Sequence, residues 1–167
     1  LWMPDVATIR PPWWMKALRA YAEQLSVEIV EGQEVTSLDL KGGKVRGVDV
    51  SGQSMEADSI VIASGAWSQP FLDEAGIAAR VEPVRGQILF YKAQKGLLGR
   101  MLKWKQKYLV PRLDGHVLAG STVEYVGFNK ETTQEAVDMI HQAAVEMMPV
   151  LKDCPIAHRW AGLRPGI

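Results

Sequence analysis

The chain has 167 residues, of which 47% are hydrophobic and 23% charged, a balance typical of one globular domain or slightly more and unlike that of disordered or collagen-like chains. Nineteen Lys and Arg residues offset nineteen Asp and Glu residues, which argues against broad binding to nucleic acid or anionic membranes. The single cysteine, Cys154, has no partner for an internal disulfide. A reducing, cytoplasmic location is therefore expected.

The first part of the chain is predicted to contain one helix, two single strands and a hairpin. In chain order these are a helix over 12–25, a strand over 27–30, a hairpin over 35–50 that turns at Gly42-Gly43 with a bulge near Gly47, and a strand over 60–63. The residues of the last strand, Ile60 to Ala63, are all apolar, which predicts that both of its faces are covered. We expect the helix to pack on this strand.

The second part of the chain is predicted to be richer in strands. The predicted elements are a short helix over 69–74, a long strand over 81–91, a hairpin over 108–121 that turns at Asp114-Gly115, a helix over 131–148 and a strand over 156–163. The hairpin register places Tyr108 opposite Ser121. Because hairpins accompany one buried strand, the fold class is α+β with a mixed sheet.

The sequence lacks the residue patterns that several kinds of chemistry require. The three histidines, His116, His141 and His158, have no carboxylate or cysteine at metal-ligand spacing, so no metal site is expected. No serine sits in a nucleophile elbow, and neither a Gly-x-Gly-x-x-Gly sequence nor a P-loop occurs. A self-contained hydrolase or kinase is disfavoured, and no side chain is predicted to act as a catalytic acid, base or nucleophile.

Two stretches remain as candidate ligand sites. Ser64 to Trp67 follows the predicted buried strand, and strand ends are where α/β sheets bind ligands; a plain strand-to-helix turn is the favoured alternative. Trp160, Gly162 and Arg164 alternate along one strand and so share a face. Arg164 could grip a carboxylate by two hydrogen bonds, and an internal salt bridge is the equally weighted alternative.

An ordered set of motifs then resembles a known family. The stretches are 60–68 (IVIASGAWS), 83–87 (PVRGQ), 108–112 (YLVPR), 120–124 (GSTVE) with Gly127-Phe128, and 160–166 (WAGLRPG). Together they resemble the flavin-dependent D-amino-acid oxidase superfamily, most closely its glycine oxidase branch, which serves thiamine biosynthesis. The resemblance runs over nearly the whole chain.

The resemblance implies an FAD-dependent enzyme that oxidises an amine to an imine, with oxygen as acceptor and peroxide as product. Residues 1–76 would be the remainder of the FAD-binding domain, and 77–167 a largely antiparallel substrate-binding sheet. The family's N-terminal nucleotide-binding unit and final FAD-contacting loop are absent from the chain. We therefore expect it to be the middle of such a protein and to be inactive alone.

The resemblance also implies roles for individual residues. Arg164 corresponds to the arginine that binds the substrate carboxylate, and Tyr108 to a pocket tyrosine near that carboxylate. Val35 lies where a valine backbone meets the adenine end of FAD, and Gly65 and Trp67 fall beside the flavin.

The implied partner is a small amino acid, glycine or a close N-methyl relative. Neither nucleic acid nor a membrane span is expected, and the subunit number stays open, a homo-oligomer included. D-amino-acid dehydrogenase and sarcosine oxidase activities of the same superfamily are alternatives. A binding module without turnover is an alternative of a different class, suggested by the missing dinucleotide sequence.

Overall fold

The computed structural model describes residues 3–167 and divides the chain into two units, Leu1–Ile60 and Val61–Ile167. The first unit holds α1 (Pro11–Gln24) and a sheet of three antiparallel strands in the order β1 (Val35–Lys41), β2 (Lys44–Val50) and β3 (Gln53–Glu56). The predicted helix and hairpin are thus confirmed. Proline fits the first turn of α1 because the N–H that it lacks has no partner there.

The turn of the first hairpin forms as its glycine pair predicts. Gly42 and Gly43 have φ angles of +59° and +73°, a backbone conformation that glycine adopts without a Cβ clash. The bulge is also confirmed. Asp39 pairs with Gly47, but Leu40 pairs with Val45, so one extra residue lies on β2.

Two predicted strands of the first part do not form. Residues 27–30 and 60–63 carry no strand hydrogen bonds, and the side chain of Val61 is 86% exposed. A strand needs a neighbouring strand to satisfy its N–H and C=O groups, and the described residues place none beside either segment. Within the first unit α1 has no buried residue, and its packing on residues 60–63 stays a prediction.

The second unit is a five-stranded sheet with helices. Its strands follow the order β5-β6-β7-β4-β8, and all described pairings are antiparallel. The elements are α2 (Gln69–Glu74), β4 (Glu82–Lys92), β5 (Leu102–Trp104), β6 (Lys107–Pro111), β7 (His116–Gly120), α3 (Gln134–Met147) and β8 (Ile156–Gly166). The α+β class is confirmed. The predicted elements of this unit all form, whereas β5 in this unit and β3 in the first unit were not predicted.

The core of this unit lies between α3 and one face of the sheet. Its buried apolar side chains are Leu89, Tyr91, Leu109, Val117, Ala119, Val137, Ile140, Ala144 and Leu151. Each large apolar side chain buried in this way stabilises the fold by about 1.5–3 kcal/mol. Thr133 caps α3 by accepting a hydrogen bond from Ala136 N. The opposite face of the sheet is free of this helix.

The register of the second hairpin differs from its prediction by one residue. Tyr108 pairs with Gly120 rather than with Ser121. The cause is the turn, which has three residues (113–115) instead of two, since Arg112 N donates to His116 O at 2.8 Å.

Within residues 3–167, no helix has the length and apolar character that crossing a bilayer requires.

Candidate functional site

The strand register lines up the predicted site residues on the sheet face opposite α3. Tyr108 pairs with Gly120, Gly120 with Ile88, and Ile88 with Trp160, so these residues form one row across four strands. Residues directly opposite in antiparallel strands lie on the same face.

In the next row Gly86 pairs with Gly162, and beyond it Val84 pairs with Arg164. Successive side chains of a strand point to opposite faces, so Trp160, Gly162 and Arg164 share one face of β8. These three residues were predicted to share a face, and that face is the one on which Tyr108, Gly120 and Ile88 also lie.

A cavity of about 160 Å³ opens on this face. It is lined by Gly86, Ile88, Tyr108, Ser121, Trp160, Gly162, Leu163 and Arg164. The structure therefore brings together Tyr108 and Arg164, the two residues predicted to bind substrate. Sites for drug-sized ligands have volumes of about 300 Å³ or more, so this cavity suits a smaller molecule.

Two glycines make room for the two polar side chains of the cavity. A Cβ at Gly120 would lie 2.7 Å from the Tyr108 hydroxyl oxygen, and a Cβ at Gly86 would lie 2.5 Å from Nη2 of Arg164. The phenol and the guanidinium thus each lie close against a glycine of a neighbouring strand. A Cβ at Gly162 would meet no atom within 4 Å, so this third glycine leaves open space.

The charge of Arg164 has no carboxylate partner among residues 3–167. Its Nη2 donates to the backbone carbonyl of Thr122 at 2.7 Å, and no acidic side chain lies within ion-pair distance. The internal salt bridge that the sequence left open is therefore not formed among the described residues. A guanidinium has five N–H donors, so this one retains donors that can bind an anion.

A buried polar network lies behind the cavity, on the α3 side of β4. Gln87 Nε2 donates to both carboxylate oxygens of Glu124, at 3.0 and 3.2 Å, and Arg85 forms an ion pair with the same carboxylate. Burial raises the pKa of Glu124, but the hydrogen bonds from Arg85, Thr122 and Gln87 outweigh it and hold that pKa below its ordinary value.

No role was predicted for Gln87 and Glu124 or for Gly86 and Gly120, although stretches 83–87 and 120–124 carried the resemblance. The available signal was a glycine inside a strand, which often marks close approach of another group.

The residues predicted to contact FAD lie outside the cavity lining. Gly65 and Trp67 form a 3-10 turn in the second unit, and Val35 begins β1 in the first. The ring of Trp67 is 5.4 Å from that of Phe128, and its side chain is 47% exposed. A larger open cleft of about 370 Å³ lies beside β2, and it contains none of the predicted site residues.

Comparison with known proteins places this architecture in a family. The family model described as FAD dependent oxidoreductase (DAO) matches residues 1–167, and the chain belongs to this family.

Two curated relatives and one solved structure show what the chain is similar to. Glycine oxidase of Pseudomonas aeruginosa is 41% identical over 99% of the chain and 46% of the relative. The bifunctional protein ThiO/ThiG of Synechocystis is 34% identical over 99% of the chain and 25% of the relative. The crystal structure of glycine oxidase from Bacillus cereus has a TM-score of 0.79 at 29% identity, over 88% of the chain and 42% of that structure.

The chain thus spans about half the length of the glycine oxidase it resembles. The resemblance predicted from its motifs is confirmed.

The family implies FAD as cofactor, and the residues present fit part of it. Gly65 has a φ of +57°, and a Cβ there would meet no atom within 4 Å, so the backbone at this turn is open to a flat ligand. The exposed Trp67 adds aromatic surface beside it. The Gly-x-Gly-x-x-Gly sequence that binds a pyrophosphate does not occur in these 167 residues.

Proposed function

We propose that the complete gene product containing these 167 residues oxidises a small amino acid, glycine or a close N-methyl relative, to its imine, with oxygen as acceptor and peroxide as product. The observation that carries the proposal is Arg164, a guanidinium that has no carboxylate partner among residues 3–167 and lines a small cavity together with a tyrosine hydroxyl. The names of the glycine oxidase relatives support the same reaction.

In this proposal Arg164 binds the substrate carboxylate, because a guanidinium and a carboxylate match in charge and in the geometry of two parallel hydrogen bonds. The Tyr108 hydroxyl provides a second contact at the same end of the substrate. Ile88 and Trp160 provide apolar walls of the cavity. The small volume favours an amino acid with little or no side chain.

The chain needs no acid or base for this chemistry. FAD, when bound, supplies the electron acceptor for the hydride that leaves the substrate carbon. The protein then contributes alignment, which alone can lower a barrier by about 7–11 kcal/mol. We propose Val35, Gly65 and Trp67 as the residues of this chain that contact FAD.

Three further features belong to the proposal. The domains are residues 1–76 and 77–167, and the location is the cytoplasm, as the unpaired cysteine favours. The relatives named ThiO/ThiG support a role in thiamine biosynthesis.

The test is Arg164→Ala in the complete gene product loaded with FAD. Loss of a charge-assisted contact that the bound substrate would shield from water costs about 2–5 kcal/mol, so affinity for glycine, sarcosine and D-alanine should fall between about thirtyfold and a few thousand-fold. Methylamine, which has no carboxylate, should lose little. The measurements are peroxide release for each amine and the thermal unfolding temperature.

A matched control is Arg159→Ala. Arg159 lies on the same strand but faces the other side of the sheet, where it hydrogen bonds Gln134 at 3.3 Å. This variant should keep the substrate preference. Equal losses for glycine and methylamine in Arg164→Ala, or a collapse of its thermal stability alone, would mean that Arg164 has a structural role and that the proposal is wrong.

A further inference from the structure

Arg164 donates a hydrogen bond to a short segment that extends the sheet beyond β7. Residues 122–124 run beside β4, where Arg85 and Glu124 exchange two backbone hydrogen bonds of 2.9 and 3.0 Å. One step further, Gln87 N donates to the Thr122 hydroxyl oxygen at 2.9 Å. This segment therefore pairs with β4 partly through a side chain, and its position depends on that side chain.

Side chains on the α3 side of β4 fix the same segment a second time. Gln87, which is 2% exposed, donates to the Glu124 carboxylate and accepts from Thr133 N at 2.9 Å. Arg85, which is 6% exposed, pairs with Glu124 and donates to Glu131 O at 2.9 Å. A buried network in which every member has a partner is rigid, because breaking one bond leaves a buried polar group unsatisfied.

One atom connects this network to the cavity face of the sheet. The carbonyl oxygen of Thr122 accepts from Nη2 of Arg164 at 2.7 Å. Gly86 lies beneath the guanidinium and offers no side chain to hold it. Among the described residues, the orientation of the Arg164 guanidinium therefore depends on where the Thr122 carbonyl is placed.

We propose that Gln87, Thr122 and Glu124 are positioning residues that orient Arg164 for the substrate carboxylate. None of the three lines the cavity, so they act through Arg164 and not on the substrate. The inference rests on the proposed function and adds to it the residues that determine how tightly Arg164 binds the substrate carboxylate. Placement matters because the two parallel hydrogen bonds between a guanidinium and a carboxylate form only in a defined geometry.

The test uses two variants of the complete FAD-loaded gene product. Thr122→Val removes the hydroxyl that accepts from Gln87 N, with almost no change of shape. Gln87→Glu places a second carboxylate against Glu124 and removes an amide donor. Acetate, a carboxylate without an amine, probes the anion site as an inhibitor, while glycine and methylamine are compared as substrates.

We expect both variants to raise the glycine KM and the acetate inhibition constant by about tenfold, which corresponds to about 1.4 kcal/mol. The kcat for glycine and the kinetics with methylamine should change by less than about threefold, since a positioning residue acts only on the carboxylate end. Thr122→Ser keeps the hydroxyl and should restore the parent values. Gln142→Glu makes the same chemical change on an exposed part of α3 and should have no effect.

Coupling to Arg164 distinguishes this role from a general contribution to folding. In an Arg164→Ala background, Thr122→Val should cause no further change in acetate inhibition. A lower melting temperature or FAD content with unchanged KM and acetate inhibition would overturn the inference. If Arg164→Ala weakens acetate binding but neither network variant does, this inference alone fails. If Arg164→Ala has no effect on acetate, the proposed function fails as well.

Discussion

Replacing Gly86 with alanine would move Arg164 without changing its charge. Gly86 lies on β4 directly opposite Gly162 of β8, and the Arg164 guanidinium crosses above it. An alanine Cβ would lie 2.5 Å from Nη2, 3.1 Å from Cζ and 3.4 Å from Nε. Nη2 and Cζ of the guanidinium therefore have to move away, although the arginine itself remains.

The size of the effect follows from these distances. Ordinary contact with a Cβ begins near 3.4 Å, so the tip of Arg164 must retreat by about 1 Å. A displacement of this size costs about a hundredfold when a group must be accurately placed. The fold should lose little, because the side chain that yields is flexible at its end, and alanine is preferred over glycine inside a strand by about 0.5–1 kcal/mol.

The assay is acetate inhibition of the complete FAD-loaded gene product, combined with thermal unfolding. We expect the acetate inhibition constant and the glycine KM to rise by about ten- to a hundredfold while the melting temperature stays within a few degrees. Gly99→Ala is the control, since a Cβ there meets no atom within 4 Å and Gly99 lies outside the cavity lining.

Unchanged acetate inhibition in the Gly86→Ala protein would refute this reasoning. It would mean that the carboxylate does not need the guanidinium where the structure places it. A large loss of stability would also count against it, because that result would require Gly86 to be packed against groups that cannot move.

Two further predictions concern stability and can be measured by denaturant unfolding of the 167-residue chain. Burial raises the pKa of Tyr91 to about 12, with a smaller contribution from Cys154. Since the unfolded value is 10.0, the stabilisation is complete below pH 10 and is lost as the pH rises towards 12, by about 2–3 kcal/mol. Tyr91→Phe should remove this alkaline loss, and an unchanged pH profile would contradict the assignment. Gly43→Ala should destabilise the first hairpin by about 1–2 kcal/mol, because Gly43 has a φ of +73°; an unaffected stability would show that this turn relaxes.

Local patterns in the sequence were sufficient for most of the second unit. Asp114-Gly115, the stripe of apolar residues over 131–148 and the alternation over 156–163 each specify an element by themselves. All of these elements form, and α3 covers one side of the sheet. Tyr108 pairs with Gly120 and not with Ser121 because the turn is one residue longer than predicted. The Asp114-Gly115 pair indicates a turn but does not determine its length.

The segment 60–63 shows where local pattern was not sufficient. A continuous apolar run predicts coverage on both faces, but coverage and hydrogen bonding come from other strands. No described strand lies beside it in this chain, so its residues take up no sheet structure. The same limit applies to the network of Gln87 and Glu124, which lie 37 residues apart and have no shared local pattern.

The separation of the two sheet faces explains why one strand can serve both folding and binding. Along β4, Leu89 and Tyr91 point into the core with α3, while Gly86 and Ile88 face the cavity. Glycine inside a strand costs about 0.5–1 kcal/mol relative to alanine, and Gly86, Gly120 and Gly162 all lie on the cavity face. The apolar core on the other face offsets that cost, so the cavity face is free to hold a flat phenol and a flat guanidinium where larger residues would exclude them.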